Sequence, residues 1–144
     1  MAEEHCVKVV IKKQIIMDLK NQIQNREIKF RAWITNLGVS FMAVQGEQDI
    51  ETLGSFFHHY CGSEQEKLMQ FTGLKDQKGN DIYEGDILEL NNCGLLIVCF
   101  YKGEFKLQKL AEYHKKRNLY ASISYLEFSV LRGNIYENTE LLTI

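Results

Sequence analysis

Met69-Gln70-Phe71-Thr72-Gly73-Leu74-Lys75-Asp76-Gln77-Lys78-Gly79-Asn80-Asp81-Ile82-Tyr83-Glu84-Gly85-Asp86-Ile87 is the stretch on which the reading of this chain turns. Asp76-Gln77-Lys78-Gly79-Asn80 is turn chemistry: an aspartate side chain caps the turn, and Gly79 takes φ > 0 without a Cβ clash. Strand-like residues flank it, Met69–Thr72 before and Ile87–Leu90 after. A Gly-Asp pair leading into an apolar strand, as at Gly85-Asp86, recurs at the entries of small SH3-like barrels. Asp76, Lys78 and Asn80 alternate like calcium ligands, but an EF-hand loop needs glycine sixth and glutamate twelfth. Those places hold Asp81 and Ile87, which excludes it.

Outward from this stretch, short strands are expected near 68–72, 87–91, 95–101, 104–110 and 128–136, with Asn92-Cys93-Gly94 and Lys102-Gly103 as tight turns. Five short strands with tight turns suit a small barrel. Upstream, Ile28, Phe30, Ala32 and Ile34 alternate with Glu27, Lys29 and Arg31 over a strand at 27–34, and a second strand follows over 40–45. Residues 49–61 read as an amphipathic helix with Asp49 as N-cap, a stripe of Ile50, Leu53, Phe57 and Tyr60, and Gly62 as the stop. Ile11, Ile15, Leu19 and Ile23 at helical spacing predict a further helix over 12–24, although the β-branched cluster from Val7 to Ile11 argues for a strand at its start. Gly62-Ser63-Glu64-Gln65-Glu66 is the best boundary. The expected fold is α+β, predominantly β: an N-terminal extension (1–25), a strand–helix lobe (26–66) and a C-terminal SH3-like small β-barrel (67–144).

Three segments, in order, carry a family resemblance. Residues 69–87 resemble the signature of the YopX family, small proteins encoded by phages and prophages. Arg26-Glu27-Ile28-Lys29-Phe30-Arg31-Ala32-Trp33 is similar to its opening strand, and Gly133-Asn134-Ile135-Tyr136-Glu137-Asn138-Thr139-Glu140-Leu141-Leu142 to its closing motif. The resemblance spans 26–142, with residues 1–25 preceding the typical start, Ile34 where an aspartate is usual and Thr139 where a proline is usual. It implies an SH3-type barrel in the C-terminal part and a phage or prophage origin. It brings no catalytic residues, because the family's function is uncharacterised.

Composition bounds the rest. The chain has 144 residues, 45% hydrophobic, enough for a packed core. A net charge of −2 gives no global basic field for nucleic acid or an anionic membrane. Cys6, Cys61, Cys93 and Cys99 form no C-x-x-C pair, which points to a reducing compartment. With no apolar run of about 18 residues and an acidic start unlike a signal peptide, a cytoplasmic protein without a membrane partner is expected.

Reactive groups are sparse. His58 and Cys61 sit three apart on one expected helical face, which is metal-ligand spacing, but two ligands are too few for a site. Neither Ser55 nor Cys61 beside His58 has the context of an activated nucleophile. Asp81, Glu84, Asp86 and Glu89 cluster in sequence as a metal-dependent nuclease would require, yet solvation of a turn and a strand edge explains them more simply. No catalytic, metal-binding or cofactor-binding residues are assigned, and the chain reads as a non-enzyme.

Charge is uneven. Five acids face two lysines between 75 and 89, a net −3; six basic residues face two acids between 102 and 117, a net +4. Two candidate surfaces follow. One is the basic–aromatic segment, with Lys106, Lys109, Tyr113, Lys115, Lys116 and Arg117, interleaved with Tyr101, Phe105 and Tyr120. The other is the turn Lys75, Asp76, Lys78 and Tyr83, which a barrel would display at its rim. The expected role is a non-enzymatic phage or prophage accessory module that binds a host or phage protein. Nucleic acid bound through segment 101–120 is the alternative, and the opposed patches leave room for head-to-tail self-association.

Overall fold

A computed structural model describes residues 11–21, 27–36, 38–46, 53–60, 66–91, 93–114 and 120–143, leaving aside the side chains of Asn36, Leu53, His59, Tyr60, Tyr113 and His114. Helix α1 covers 11–21. Strands β1 (Phe30–Asn36) and β2 (Val39–Val44) precede helix α2 (Leu53–Tyr60), followed by β3 (Lys67–Lys75), β4 (Asp81–Tyr83), β5 (Asp86–Leu90), β6 (Gly94–Tyr101) and β7 (Glu104–Lys109). Helix α3 (Leu110–His114) leads to β8 (Tyr120–Ser122), a 3₁₀ helix (Ile123–Phe128), β9 (Ser129–Asn134) and a last 3₁₀ helix (Thr139–Thr143). The chain is mostly β. Its strands form a four-stranded sheet, β2-β1-β3-β4, and a five-stranded sheet, β8-β7-β6-β5-β9.

The strand at 27–34 begins later, at Phe30, and its alternation separates two faces that are both covered. On one face Ala32 and Ile34 pack with Ala43 of β2 and Phe56 of α2, and Phe57 meets Phe30 edge-on at 5.2 Å. The other face carries Trp33 against Met69, Phe71, Tyr83, Met42 and Tyr136. Arg31, on this second face, is buried. The five-stranded sheet has its own core, Leu88, Leu96, Val98, Phe105 and Leu107, closed by Ile82 of β4 and Leu126 of the first 3₁₀ helix. Burying such aliphatic and aromatic side chains contributes about 1.5–3 kcal/mol each.

Several expected boundaries move. β3 continues to Lys75, past Thr72, because Gly73 takes φ 85° and the β3–β4 register shifts between Phe71 and Lys75. The strand at 104–110 stops at Lys109, where Leu110 turns inward to open α3. β4 and β8 were not anticipated: three residues each leave no alternation to read. The last strand is Ser129–Asn134 rather than 128–136, since Tyr136 and Glu137 donate their backbone N–H groups to the Asn134 carboxamide and turn the chain. The helix expected over 49–61 is described from Leu53 to Tyr60; Asp49, Ile50, Cys61 and Gly62 lie outside the described residues, as does the 22–24 end of the first helix.

Gly133 occupies the place in β9 where the β5–β9 register shifts between Ile87 and Leu88. A Cβ added there would overlap the Asn138 carboxamide, whose oxygen accepts the Asn134 N–H at 3.1 Å. Gly133→Ala therefore displaces Asn138 and opens the closing turn, with an expected loss of about 2 kcal/mol. Urea unfolding at unchanged m-value checks this; an unchanged midpoint would refute it.

Candidate interaction surfaces

The turn 76–80 is built around one carboxylate. Asp76 Oδ1 accepts the backbone N–H groups of Lys78 (2.9 Å) and Asn80 (2.8 Å), and Oδ2 accepts from Asn80 Nδ2 (3.0 Å) and from Leu131 N–H (3.1 Å) in β9. Burial alone would raise the Asp76 pKa, but these hydrogen bonds outweigh it and hold the carboxyl below its ordinary value. Gly79, at φ 85°, completes the turn. Of the four rim candidates, Lys75 and Lys78 are exposed, whereas Asp76 and Tyr83 are buried. Tyr83 packs on Phe71 and lies under the Arg31 guanidinium, 4.8 Å from its ring centre. The turn thus displays two lysines, Lys75 in an ion pair with Asp81, while Asp76 and Tyr83 hold it in place.

The segments that carry the family resemblance meet at a single joint between the sheets. Arg31 of β1 donates from Nη2 to Asp86 Oδ1 of β5 (2.5 Å) and to the carbonyl of Glu84 (3.3 Å). Asp86 Oδ2 accepts the Tyr83 N–H at 2.8 Å. Between them Gly85 donates to the Val98 carbonyl and accepts from Ile135 N–H, each at 2.9 Å. A Cβ on Gly85 would touch Ile135 and Met69, and its φ of 81° already favours glycine. Trp33 stacks on Tyr136 with ring centres 6.1 Å apart. Burial pushes Tyr136 and Glu84 above their ordinary pKa values, the Glu84 carboxylate adding to the shift of Tyr136. Arg31 and Asn134 were not singled out from sequence; the one signal for Arg31 is a cation between apolar residues in the opening motif.

The carboxylates grouped in sequence do not converge. Asp81 pairs with Lys29 (2.9 Å) and with Lys75, Glu89 pairs with Arg132, and Asp86 with Arg31. The hydrogen bond that Lys29 donates to Asp81 is the largest of the effects that raise the Lys29 pKa. Among the described residues no group of three or more His, Cys, Asp and Glu side chains is arranged to hold a metal ion. His58 is exposed on α2, and Cys61 lies outside the described residues.

The basic–aromatic segment is only partly described. Lys106 pairs with Glu104 at 2.8 Å, Lys109 is exposed, and Tyr101 stacks on Tyr120 at 4.5 Å with the Lys102 ammonium 5.3 Å from its ring centre. Lys115, Lys116, Arg117 and the Tyr113 side chain lie outside the described residues. A feature with no signal in the sequence reading lies next to this sheet. The first 3₁₀ helix places Leu126 inside, while Tyr125 and Phe128, three residues apart and so on one ridge, are 56% and 60% exposed.

Asp86 gives the joint a pH signature. Burial raises its pKa from 3.8 to about 6, against the opposing pull of Arg31 and of the Tyr83 N–H. Between these values the folded chain holds a proton that the unfolded chain has released. The carboxyl therefore stabilises the fold fully below about pH 4, and this contribution is lost as pH rises through about 6. Asp86→Asn should abolish that slope in unfolding free energy against pH. Arg31→Met leaves the buried carboxylate uncompensated and should cost about 3–5 kcal/mol at pH 8, with a clearly smaller loss at pH 5; equal losses at both would refute the assignment.

The model of the family described as YopX protein matches residues 9–143. The match takes in α1 and begins upstream of residue 26, where the sequence resemblance starts. No curated protein matches the chain. The crystal structure of protein EF1440 from Enterococcus faecalis aligns with a TM-score of 0.45 at 22% identity, over 81% of this chain and 98% of that one. With 9–143 matched, and the opening, signature and closing segments meeting at one joint, the chain belongs to the YopX family.

Proposed function

We propose that the protein is a phage- or prophage-encoded accessory protein of the bacterial cytoplasm: a non-enzymatic module, SH3-like in its C-terminal part, that acts through a host or phage protein. The observation that carries this reading is the exposed ridge of Tyr125 and Phe128. Leu126 anchors the ridge from beneath, and Ser129 Oγ closes the 3₁₀ helix by donating to the Leu126 carbonyl at 2.6 Å. Rigidly mounted, outward-facing aromatics are the usual energetic centres of protein interfaces. The exposed Lys78 of the turn adds charge at a second place, while Lys75 is paired with Asp81. The rest of the joint is committed to holding the two sheets together.

Nucleic acid bound through segment 101–120 is the second reading, favoured by the excess of basic residues between 102 and 117. Against it, Lys106 is paired with Glu104, and the Tyr101 ring is engaged within the chain by Tyr120 and by the Lys102 ammonium. Stacking on bases needs an open ring face.

The double substitution Tyr125→Ser with Phe128→Ser should leave stability within about 0.5 kcal/mol and abolish co-purification of the partner from host lysate. Retention of the partner would sink the reading. In parallel, titration with single-stranded DNA and RNA at two salt concentrations should give weak binding at most. Tight binding whose log–log salt slope is about −0.7 per phosphate contacted, lost when Lys115, Lys116 and Arg117 are neutralised, would put nucleic acid first.

A further inference from the structure

Among the described residues the two sheets end in β2 and β4 on one side and in β8 and β9 on the other. An edge strand offers its outer N–H and C=O groups to any other strand, and natural sheets blunt this with shortness, charge, a bulge or a cover. β4 and β8 are three residues each. β9 is covered by the Asp76 turn: the Ser129 carbonyl accepts the Gln77 N–H, and the Leu131 N–H reaches the Asp76 carboxylate, both at 3.1 Å. β2 has none of these devices. Val39-Ser40-Phe41-Met42-Ala43-Val44 carries no charge and pairs with β1 along its whole length without a register shift. Val39 and Phe41 are 65% and 39% exposed.

The ladder with β1 fixes which backbone groups of β2 face outward. The Gln45 N–H donates to the Phe30 carbonyl at 3.1 Å. In an antiparallel pair this orientation alternates, so Ala43, Phe41 and Val39 also turn their backbone groups to β1, and Ser40, Met42 and Val44 turn theirs away. The Thr35 and Ser40 hydroxyls, 3.1 Å apart, fit the close side-chain approach of a pair that exchanges no ladder hydrogen bonds.

We infer that β2 of one copy pairs antiparallel with β2 of a second copy, joining the two four-stranded sheets across a twofold axis. The strand itself supports a second copy as the occupant, because it is complementary to itself in one register. With Met42 opposite Met42 of the second copy, Ser40 faces Val44 and Val44 faces Ser40. Every outward residue is then used, each pair exchanging two hydrogen bonds. A shift of two residues either way leaves one pair fewer. The same register sets Phe41 opposite Ala43, a large side chain beside a small one. With no charge in β2, no like charges meet at the axis. The pairing uses the one long unprotected edge and leaves the short β4 at both ends of the joined sheet, so assembly closes at two copies. Tyr125 and Phe128 lie on the 3₁₀ helix between β8 and β9, apart from this edge, and the dimer is independent of the role proposed for them.

Light scattering on the full chain between 1 and 100 µM should give twice 16.8 kDa at the upper end. Ser40→Pro removes an N–H that faces away from β1, so the chain's own ladder and its circular dichroism should be kept. The twofold axis counts that lost hydrogen bond twice, which should weaken dimerisation by about thirtyfold. Cysteine pairs read the register without relying on proline. An equimolar mixture of Ser40→Cys and Val44→Cys should form an interchain disulfide on mild oxidation, since directly opposed residues lie within disulfide reach. Either variant alone should give no more cross-linked dimer than the wild type. The double substitution Tyr125→Ser with Phe128→Ser should stay dimeric. A wild-type monomer at 100 µM overturns the inference, as does a folded Ser40→Pro variant that dimerises as tightly as the wild type. A dimer that the cysteine mixture fails to cross-link overturns it as well.

Discussion

Arg31 and Asp86 are supplied by different sheets and are 55 residues apart in sequence. Neither charge is tolerable where it sits without the other. Desolvation raises the Asp86 pKa despite the guanidinium, so the pair contributes little net stability and much specificity. Everything around it is arranged to keep the geometry: Tyr83 below the guanidinium, the Tyr83 N–H on the second carboxylate oxygen, and Gly85 pinned between Val98 and Ile135. If β1 slipped by one residue, Arg31 and Trp33 would exchange faces with Ala32 and Ile34. The pair therefore fixes the register of the four-stranded sheet relative to the five-stranded one.

The sequence made the local half of this legible. Asp76 and Gly79 marked the turn because turn chemistry acts within a few residues, and the β6–β7 hairpin was readable from Lys102-Gly103. The alternation in β1 was readable too, but its meaning was not. Alternation reports that a strand has two unlike faces, and here the polar face is buried because a buried carboxylate waits for Arg31. The pairing of β1 with β3 across α2 leaves no local trace, and neither does the fourth hydrogen bond to Asp76, which comes from Leu131. The 3₁₀ ridge was invisible for another reason: Tyr125 and Phe128 look like core residues until the position of Leu126 shows which side faces in.

Charge blocks along the chain misled in a similar way. The acidic stretch 75–89 is drained by cations from elsewhere: Lys29 on Asp81, Arg31 on Asp86 and Arg132 on Glu89. Within the described part of the basic stretch, Glu104 engages Lys106. Short-range pairing of this kind cancels much of the field that a linear count implies, because screened charges act mainly on near neighbours. Beside these paired ions, the aromatic side chains of Tyr125 and Phe128 stand exposed.

The Asp76 turn has a temporal consequence as well. Its carboxylate is completed by Leu131, made 55 residues later. At a synthesis rate of about 5–20 residues per second, a nascent chain carries the half-finished turn for roughly 3–10 s before β9 exists. Through that interval β5 has an open edge, since its other neighbour in the sheet is β9. Ribosome-bound chains that stall in this window would expose Asp86 and Leu88 to any passing strand, so the hazard for this protein lies in its birth more than in its finished fold.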